Sequence, residues 1–386
     1  MPSAAAFRVL ATSGLAWAGL SFAVGADGAA RQPPTRPGAE KSAVAAPSTP
    51  AQAPAAPPAA SGPERSAVPT RKINGLDYVN LADVAARLGL TFTLTERGKK
   101  GVLAGAGGRA EIEADTRDIE VNGLRVFLGD PSADADGKLY VSRIDYERCL
   151  APMLRPGAGV GPRPPPKLVV LDPGHGGNDP GKTNARLGVN EKTVALDLAR
   201  RTKARLEAAG FRVVLTRDDD TFIALPQRAT ISNLAKADLF VSLHFNALPN
   251  DTKTSGVEVY TFAPRTQRST NAWGPSAAND AEPQASPVNR FDHWSVALAH
   301  ALHRRLVVDL KLPDRGKKLM HLGVLRPLAA PSVLVECGFL SSDAEARRIA
   351  RPEYRQQLAV ALAAGIADYA ATLRRVAAAA PAAPSE

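Results

Sequence analysis

Cysteine is nearly missing: Cys149 and Cys337 are the only two in 386 residues. Two thiols far apart in the chain do not make a disulfide framework, so the fold must rest on a hydrophobic core. Two unpaired thiols are expected. Aromatic residues are scarce too, at 5%, which leaves the core to Val, Leu and Ala. No basic helix interleaved with aromatics is present, and this argues against a nucleic-acid partner. A strong apolar run is also lacking. The opening MPSAAAFRVLATSGLAWAGLSFAVGA carries one basic residue, Arg8, and an apolar stretch diluted by Thr12, Ser13, Gly and Ala. That is a weak membrane span. It fits an export signal over 1–26 better, with cleavage after Ala26. No cysteine lies near that point, so a lipid anchor has no support. No stable membrane span is expected after cleavage.

What is present is a basic chain with clear punctuation. Net charge is +10, much of it in pairs such as Arg200–Arg201, Lys317–Lys318 and Arg374–Arg375. Most of these read as solvated helix faces, and a basic surface also favours adsorption to an anionic polymer. Residues 27–70 are rich in Ala, Pro, Ser and Gly and read as a disordered tether. RPGAGVGPRPPP, over 155–166, is a second linker. It divides a small accessory α+β domain over 71–154 from a larger domain over 167–376. Residues 377–386 read as a loose tail.

In the small domain, INGL (73–76) and VNGL (121–124) each place Asn-Gly between apolar residues, which is a hairpin signal. A helix is expected over 81–88, closed by Gly89. No cluster of ligands or nucleophiles lies there. The larger domain alternates strand and helix. Strands are expected at 167–171, 211–216, 238–245, 256–262 and 332–336, and helices at 190–209, 225–236, 293–309 and 352–374. Several strands are nearly continuous apolar runs, as strands covered on both faces should be. The fold class is α/β, with a layered, mostly parallel or mixed sheet and helices on both faces.

Chemistry gathers at the strand ends. In LVVLDPGHGG, an apolar run stops at Asp172 and His175 stands between glycines. His244 ends the strand at 238–245, and Glu191 opens the helix at 190–209. A right-handed crossover brings that helix start to the edge where the strand ends. Glu191 also falls on the apolar stripe of its helix, where a carboxylate needs a partner. Two histidines and one carboxylate, with a position open to water, make a catalytic zinc set. The alternative for each alone is ordinary: a hydrogen-bonded surface histidine, or a glutamate favoured by the helix dipole. Glu336, at the end of SVLVE, reaches the same edge if its strand is parallel. It is then a natural general base, taking a proton from the attacking water and passing it to the leaving nitrogen. The alternative is a carboxylate in a salt bridge with Arg315. Asn246 shares a side of its strand with His244 and is a candidate for substrate contact, or else a turn residue. Asp172 either orients His175 from behind or merely ends its strand.

Residues 167–376 closely resemble the catalytic domain of the zinc-dependent N-acetylmuramoyl-L-alanine amidases of bacterial cell walls. The shared words are LDPGHGGNDPG (171–181), NEK (190–192), LTR (215–217), LPQRATISN (225–233), FVSLHFNA (240–247), GVEVY (256–260), DRGKK (314–318), VLR (324–326) and PSVLVECGFLSS (331–342), in family order. The resemblance implies one zinc ion per catalytic domain, with His175, Glu191 and His244 as ligands and Glu336 as catalytic acid/base. It implies peptidoglycan as substrate, cut between N-acetylmuramic acid and L-alanine, and it is compatible with an activator protein. Arg315 is a further candidate for substrate contact. Residues 71–154 resemble the copper amine oxidase N-terminal-like domain, on NG…YV…ADVAARLGL and VNG…LYVSR.

One departure is the stretch between TFAPR and the helix at 293. It is long, rich in Pro, Ser, Asn and Gly, and reads as a loop near the cleft. His293, His300 and His303 read as surface or packing residues, because HALHRR lacks the glutamate of a zinc-protease helix. His321 is expected to be structural, with a substrate role open. Two other readings stay open: a wall-binding or activator protein without turnover, and a zinc peptidase acting on stem peptides. Export to the periplasm is expected, with the cell wall as the alternative.

Overall fold

In the computed structural model, residues 68–95, 99–272 and 280–379 are described. The expected signal at 1–26, most of the tether and residues 380–386 lie outside them. Strand β1 (Thr70–Ile73) turns through Asn74-Gly75 into β2 (Leu76–Asn80). Both turn residues have positive φ, 49° and 82°, as a two-residue hairpin requires. Helix α1 (Leu81–Leu88) follows. Asn80 caps it by accepting from Ala82 N at 2.7 Å, and Gly89 closes it in the left-handed region. Strands β3 (Thr91–Thr95), β4 (Lys100–Gly105), β5 (Gly108–Glu113), β6 (Asp118–Val121) and β7 (Leu124–Phe127) form an antiparallel meander. The second expected turn, Asn122-Gly123, joins β6 to β7. One hairpin lies outside the expected set. β8 (Ala133–Ala135) and β9 (Lys138–Ser142) turn on Asp136-Gly137, whose Asp-Gly chemistry serves the same purpose. Short turns α2 (Arg143–Asp145) and α3 (Ala151–Leu154) end this part.

The second part begins with β10 (Leu168–Pro173) and a two-stranded ribbon, β11 (Thr183–Asn184) and β12 (Val189–Asn190). Then come α4 (Glu191–Ala208), β13 (Arg212–Leu215), α5 (Leu225–Leu234), β14 (Leu239–Asn246) and β15 (Val257–Phe262). The chain closes with α6 (Asp292–Arg304), β16 (Asp314–Met320), β17 (Ser332–Phe339), α7 (Asp343–Ala350) and α8 (Pro352–Ala379). Strands β13, β10, β14 and β17 are parallel. β15 runs antiparallel to β17, and β16 runs parallel to β15. The sheet is therefore mixed. It continues through a pairing of Lys317 with Val126 into β7, giving the order β13-β10-β14-β17-β15-β16-β7-β6-β5-β4-β3.

Alternation along the strands covers both faces of this sheet. Val169, Leu171, Leu239, Val241, Leu243, Val333 and Val335 pack with residues of α4, α6 and α8. Val170, Phe240, Leu334 and Tyr260 face the other way, onto Ala229 of α5 and Val324, Leu325 and Leu328 of a loop. Strand β16 is the element that sequence periodicity hides, because DRGKKLM reads as surface. Yet Lys317 is 1% exposed and Lys318 is 7% exposed. Helix α8 runs to Ala379, into the expected tail, because alanines continue a helix readily.

Candidate metal centre and catalytic edge

The parallel strands end together, and the site is built where they end. His175 follows the last residue of β10. It takes a positive φ of 62° in a turn where Gly176 and Gly177 also have positive φ. A non-glycine residue rarely adopts that conformation, and it is kept only where neighbours enforce it. Two buried arginines enforce it. Arg228, from α5, donates to Pro173 O at 2.8 Å and to His175 O at 2.8 Å. Arg217 donates to Pro173 O at 3.0 Å and to Gly174 O at 2.7 Å.

Glu191, the first residue of α4, is 1% exposed. Its Oε2 lies 3.0 Å from His175 Nε2, and its Oε1 lies 2.8 Å from His244 Nδ1. Backbone amides complete its shell: Lys182 N donates to Oε2 at 2.7 Å and Phe245 N to Oε1 at 3.0 Å. Burial opposes its charge, yet the hydrogen bonds with His175 and His244 hold the carboxyl well below its ordinary range. The two imidazole rings meet edge to face, with centroids 5.0 Å apart.

Among the described residues, His175, Glu191 and His244 form the one group of this kind that can hold a metal ion, with ligand atoms within 4.8 Å of one another. The surroundings fit such an ion. A Cβ at Gly181 would lie 2.6 Å from Glu191 Oε2, and one at Gly174 would collide with the His244 ring. Glycine at both positions leaves the space that three ligands and an ion need.

Glu336 stands beside this group. Its Cα is paired with His244 across β14 and β17, and with Glu258 across β17 and β15. Its Oε2 is sealed from solvent and has no hydrogen-bond partner among the described residues. Burial, and then the carboxylates of Glu191 and Glu258, push its pKa well above the ordinary value. A buried carboxyl oxygen without a partner is costly, and such groups concentrate at reactive sites.

The placement of Asp172 behind His175 is corrected by the structure. Asp172 does not reach His175. It is fully buried and bonded to Arg228 NH1 at 2.8 Å, Thr216 Oγ1 at 2.6 Å and Ser242 Oγ at 2.7 Å. The residue that orients His175 is Asp179, whose Oδ2 lies 2.7 Å from Nδ1. A close Gly176–Asp179 pairing folds the loop back and brings it there. Its only sequence signal was a carboxylate four residues after a histidine in a glycine turn. The alternative of a salt bridge between Glu336 and Arg315 does not hold, because Arg315 pairs with Glu258, at 3.1 Å. Asn246 lies on the same side of β14 as His244. Its amide is held between Glu258 Oε2, 3.3 Å away, and Ala247 N, at 2.8 Å.

The other histidines stay outside this group. His293 and His303 are buried, and His300 reaches Asn122 at 3.3 Å. His321 faces Asp280 at 3.3 Å. The long stretch before α6 is tied to β16 by Thr270 N to Leu319 O at 2.8 Å. It also meets β15 through Asn271 Nδ2 to Tyr260 Oη at 3.3 Å. Residues 273–279 of it lie outside the described residues.

The buried Arg228–Asp172 pair gives a first test. Arg228→Met leaves Asp172 charged and without its counter-ion inside the protein. The expected loss is about 3–5 kcal/mol. It is read as a lower urea midpoint at unchanged slope. A midpoint close to wild type would show that the pair does not brace the turn.

Known proteins resemble this chain over its second part. Residues 169–368 match the family model described as N-acetylmuramoyl-L-alanine amidase (Amidase_3). The N-acetylmuramoyl-L-alanine amidase AmiC of Neisseria meningitidis serogroup B is 34% identical over 238 residues, 56% of this chain and 55% of that protein. AmiA of Escherichia coli K12, of the same description, is 32% identical over 224 residues, 53% of this chain and 76% of that protein. The chain thus spans about half the length of the Neisseria relative. An amidase crystal structure from Clostridium difficile 630 aligns at 31% identity with a TM-score of 0.44, over 53% of this chain and 96% of that one. The matched segment, 169–368, contains His175, Glu191, His244 and Glu336 and covers more than half of the 386 residues, so the chain belongs to the N-acetylmuramoyl-L-alanine amidase family.

Proposed function

We propose that this protein hydrolyses the amide between the lactyl group of N-acetylmuramic acid and the L-alanine of the peptidoglycan stem peptide. The observation that carries the reading is Glu336: a sealed, unpartnered carboxyl oxygen beside a His-Glu-His group. His175, Glu191 and His244 would hold one zinc ion. Bound there, zinc supplies Lewis-acid chemistry, polarising the amide carbonyl and acidifying water.

The rest is done by the chain. Asp179 fixes the ring of His175 from behind, and the amides of Lys182 and Phe245 fix Glu191. Glu336 accepts the proton of the attacking water and returns it to the leaving nitrogen. The glycines around His175 keep that side of the cleft low, so a branched glycan strand can approach.

Peptidoglycan lies outside the cytoplasmic membrane, so this function requires export. We read residues 1–26 as the signal and the periplasm as the destination, with the cell wall as alternative. Residues 71–154 are read as an accessory part of the same chain. No helix among the described residues is long and apolar enough to cross a membrane. Digestion of muropeptides, followed by mass analysis, tests the reading. Intact stem peptides with peptide-free glycan are expected. Shortened peptides would point to a peptidase, and unchanged muropeptides to a binding protein.

A further inference from the structure

Glu258 is a buried carboxylate to which four side chains donate. Lys318 Nζ lies 2.6 Å from its Oε1 and Arg315 Nε 3.1 Å. Tyr260 Oη lies 2.7 Å from its Oε2 and Asn246 Nδ2 3.3 Å. The residue is 2% exposed. One carboxylate cannot neutralise two cations, and Lys318, itself 7% exposed, has the shorter contact. Arg315 is the more exposed of the two cations, with its side chain 32% exposed.

Topology places this cation at the catalytic edge. β15 runs against β17, so Glu258, near the start of β15, stands opposite Glu336 near the end of β17. β16 runs with β15, so Arg315 begins at the same edge. The guanidinium lies over the Phe339 ring, 4.9 Å from its centroid. Nε is spent on Glu258, and among the described residues neither terminal nitrogen makes a hydrogen bond. Glu345, whose carboxylate accepts from Gly256 N and Phe339 N at 3.1 and 2.8 Å, is within electrostatic reach of Arg315, and so is Asp251. Its carboxylate, however, is turned onto Lys253 N, Thr254 N and Thr254 Oγ1, at 2.9, 2.8 and 2.6 Å. A guanidinium held through Nε and placed over a ring keeps its two terminal nitrogens as a fork of donors, the shape that recognises a carboxylate.

We propose that Arg315 binds a carboxylate of the stem peptide, and that Glu258 is the positioning residue that aims it. This inference rests on the amidase reading and deepens it. The leaving nitrogen lies at Glu336, so the peptide runs from there across the starts of β15 and β16. Stem peptides carry free carboxyl groups, whereas the sugar at the cut does not offer one on this side.

The test uses the zinc-loaded full chain, wild type, Arg315→Gln and Arg315→Lys. The substrates are muramoyl peptides in which each stem carboxyl is amidated in turn. Wild type should prefer the free acid at one position. Arg315→Gln should reduce that preference by about tenfold or more, in KM rather than kcat. Arg315→Lys should recover part of it, since the charge returns without the fork. A preference unchanged in Arg315→Gln, or absent in wild type, overturns the proposal.

A titration of the released stem peptide, acid or amide, separates this proposal from the amidase reading. Acid-dependent binding that vanishes in Arg315→Gln, in a protein that cleaves nothing, keeps the Arg315 site and rejects the amidase. Cleavage with binding indifferent to Arg315 rejects the site and keeps the amidase.

Discussion

Glu336→Gln should retain its metal and lose about 10²–10⁴-fold in kcat. Glutamine keeps the size of the side chain and its place opposite His244 and Glu258. It cannot take a proton at neutral pH. The loss should fall on kcat, because the ligand residues and the peptide contacts are untouched. A second signature does not depend on turnover. Burial and the nearby Glu191 and Glu258 carboxylates raise the pKa of Glu336 in the folded chain. An acid shifted upward stabilises the fold fully below its unfolded pKa, and that contribution disappears as pH rises through the folded value. Glutamine has nothing to lose. In the metal-free protein, Glu336→Gln should therefore match wild type near about pH 4 and exceed it increasingly at higher pH. Equal stability across that range would mean that Glu336 has found a partner and is no strained base.

The second large effect is loss of the metal. His175→Ala and His244→Ala each remove one of the three proposed protein ligands, and two ligands rarely hold a catalytic ion. Both variants should purify without stoichiometric zinc and show background activity only. Asp179→Asn should behave differently. It leaves all three ligands in place and weakens only the bond that orients His175, 2.7 Å long. Changes of this kind cost about 10–100-fold in metal affinity or activity. Asp179→Asn should then regain activity at raised zinc concentration, whereas the histidine variants should not. Full occupancy in either histidine variant would remove that residue from the ligand set.

The sequence showed His175, Glu191, His244 and Glu336 because each interrupts an apolar pattern. Three of them break or end a buried strand, and Glu191 breaks the inward stripe of α4. Topology rules for parallel strands then bring their ends together, and β10, β14 and β17 obey them. The Asn-Gly turns were legible for a similar reason, since a local conformation demands particular residues. What could not be read was pairing over distance. Asp172 meets Arg228 across 56 positions, and Glu258 meets Arg315 across 57. Nothing local in LDP or PQR announces the first pair, and nothing in VEV or DRG the second. Strand β16 was hidden because its lysines look solvated until Glu258 and the sheet bury them. Asp179 was hidden because the turn that carries it depends on His175 itself adopting positive φ.

In the proposed reaction water adds across the bond joining muramic acid to L-alanine, with Glu336 as the base. The most direct measurement is hydrolysis of a defined muramoyl peptide by the zinc-loaded protein in heavy-oxygen water, with both products weighed. The expected result is one heavy oxygen in the lactyl carboxylate, an unlabelled intact peptide with a free L-alanine amine, and both products formed about 10²–10⁴-fold more slowly by Glu336→Gln. Label in a peptide carboxylate, with the muramoyl amide still closed, would contradict the account.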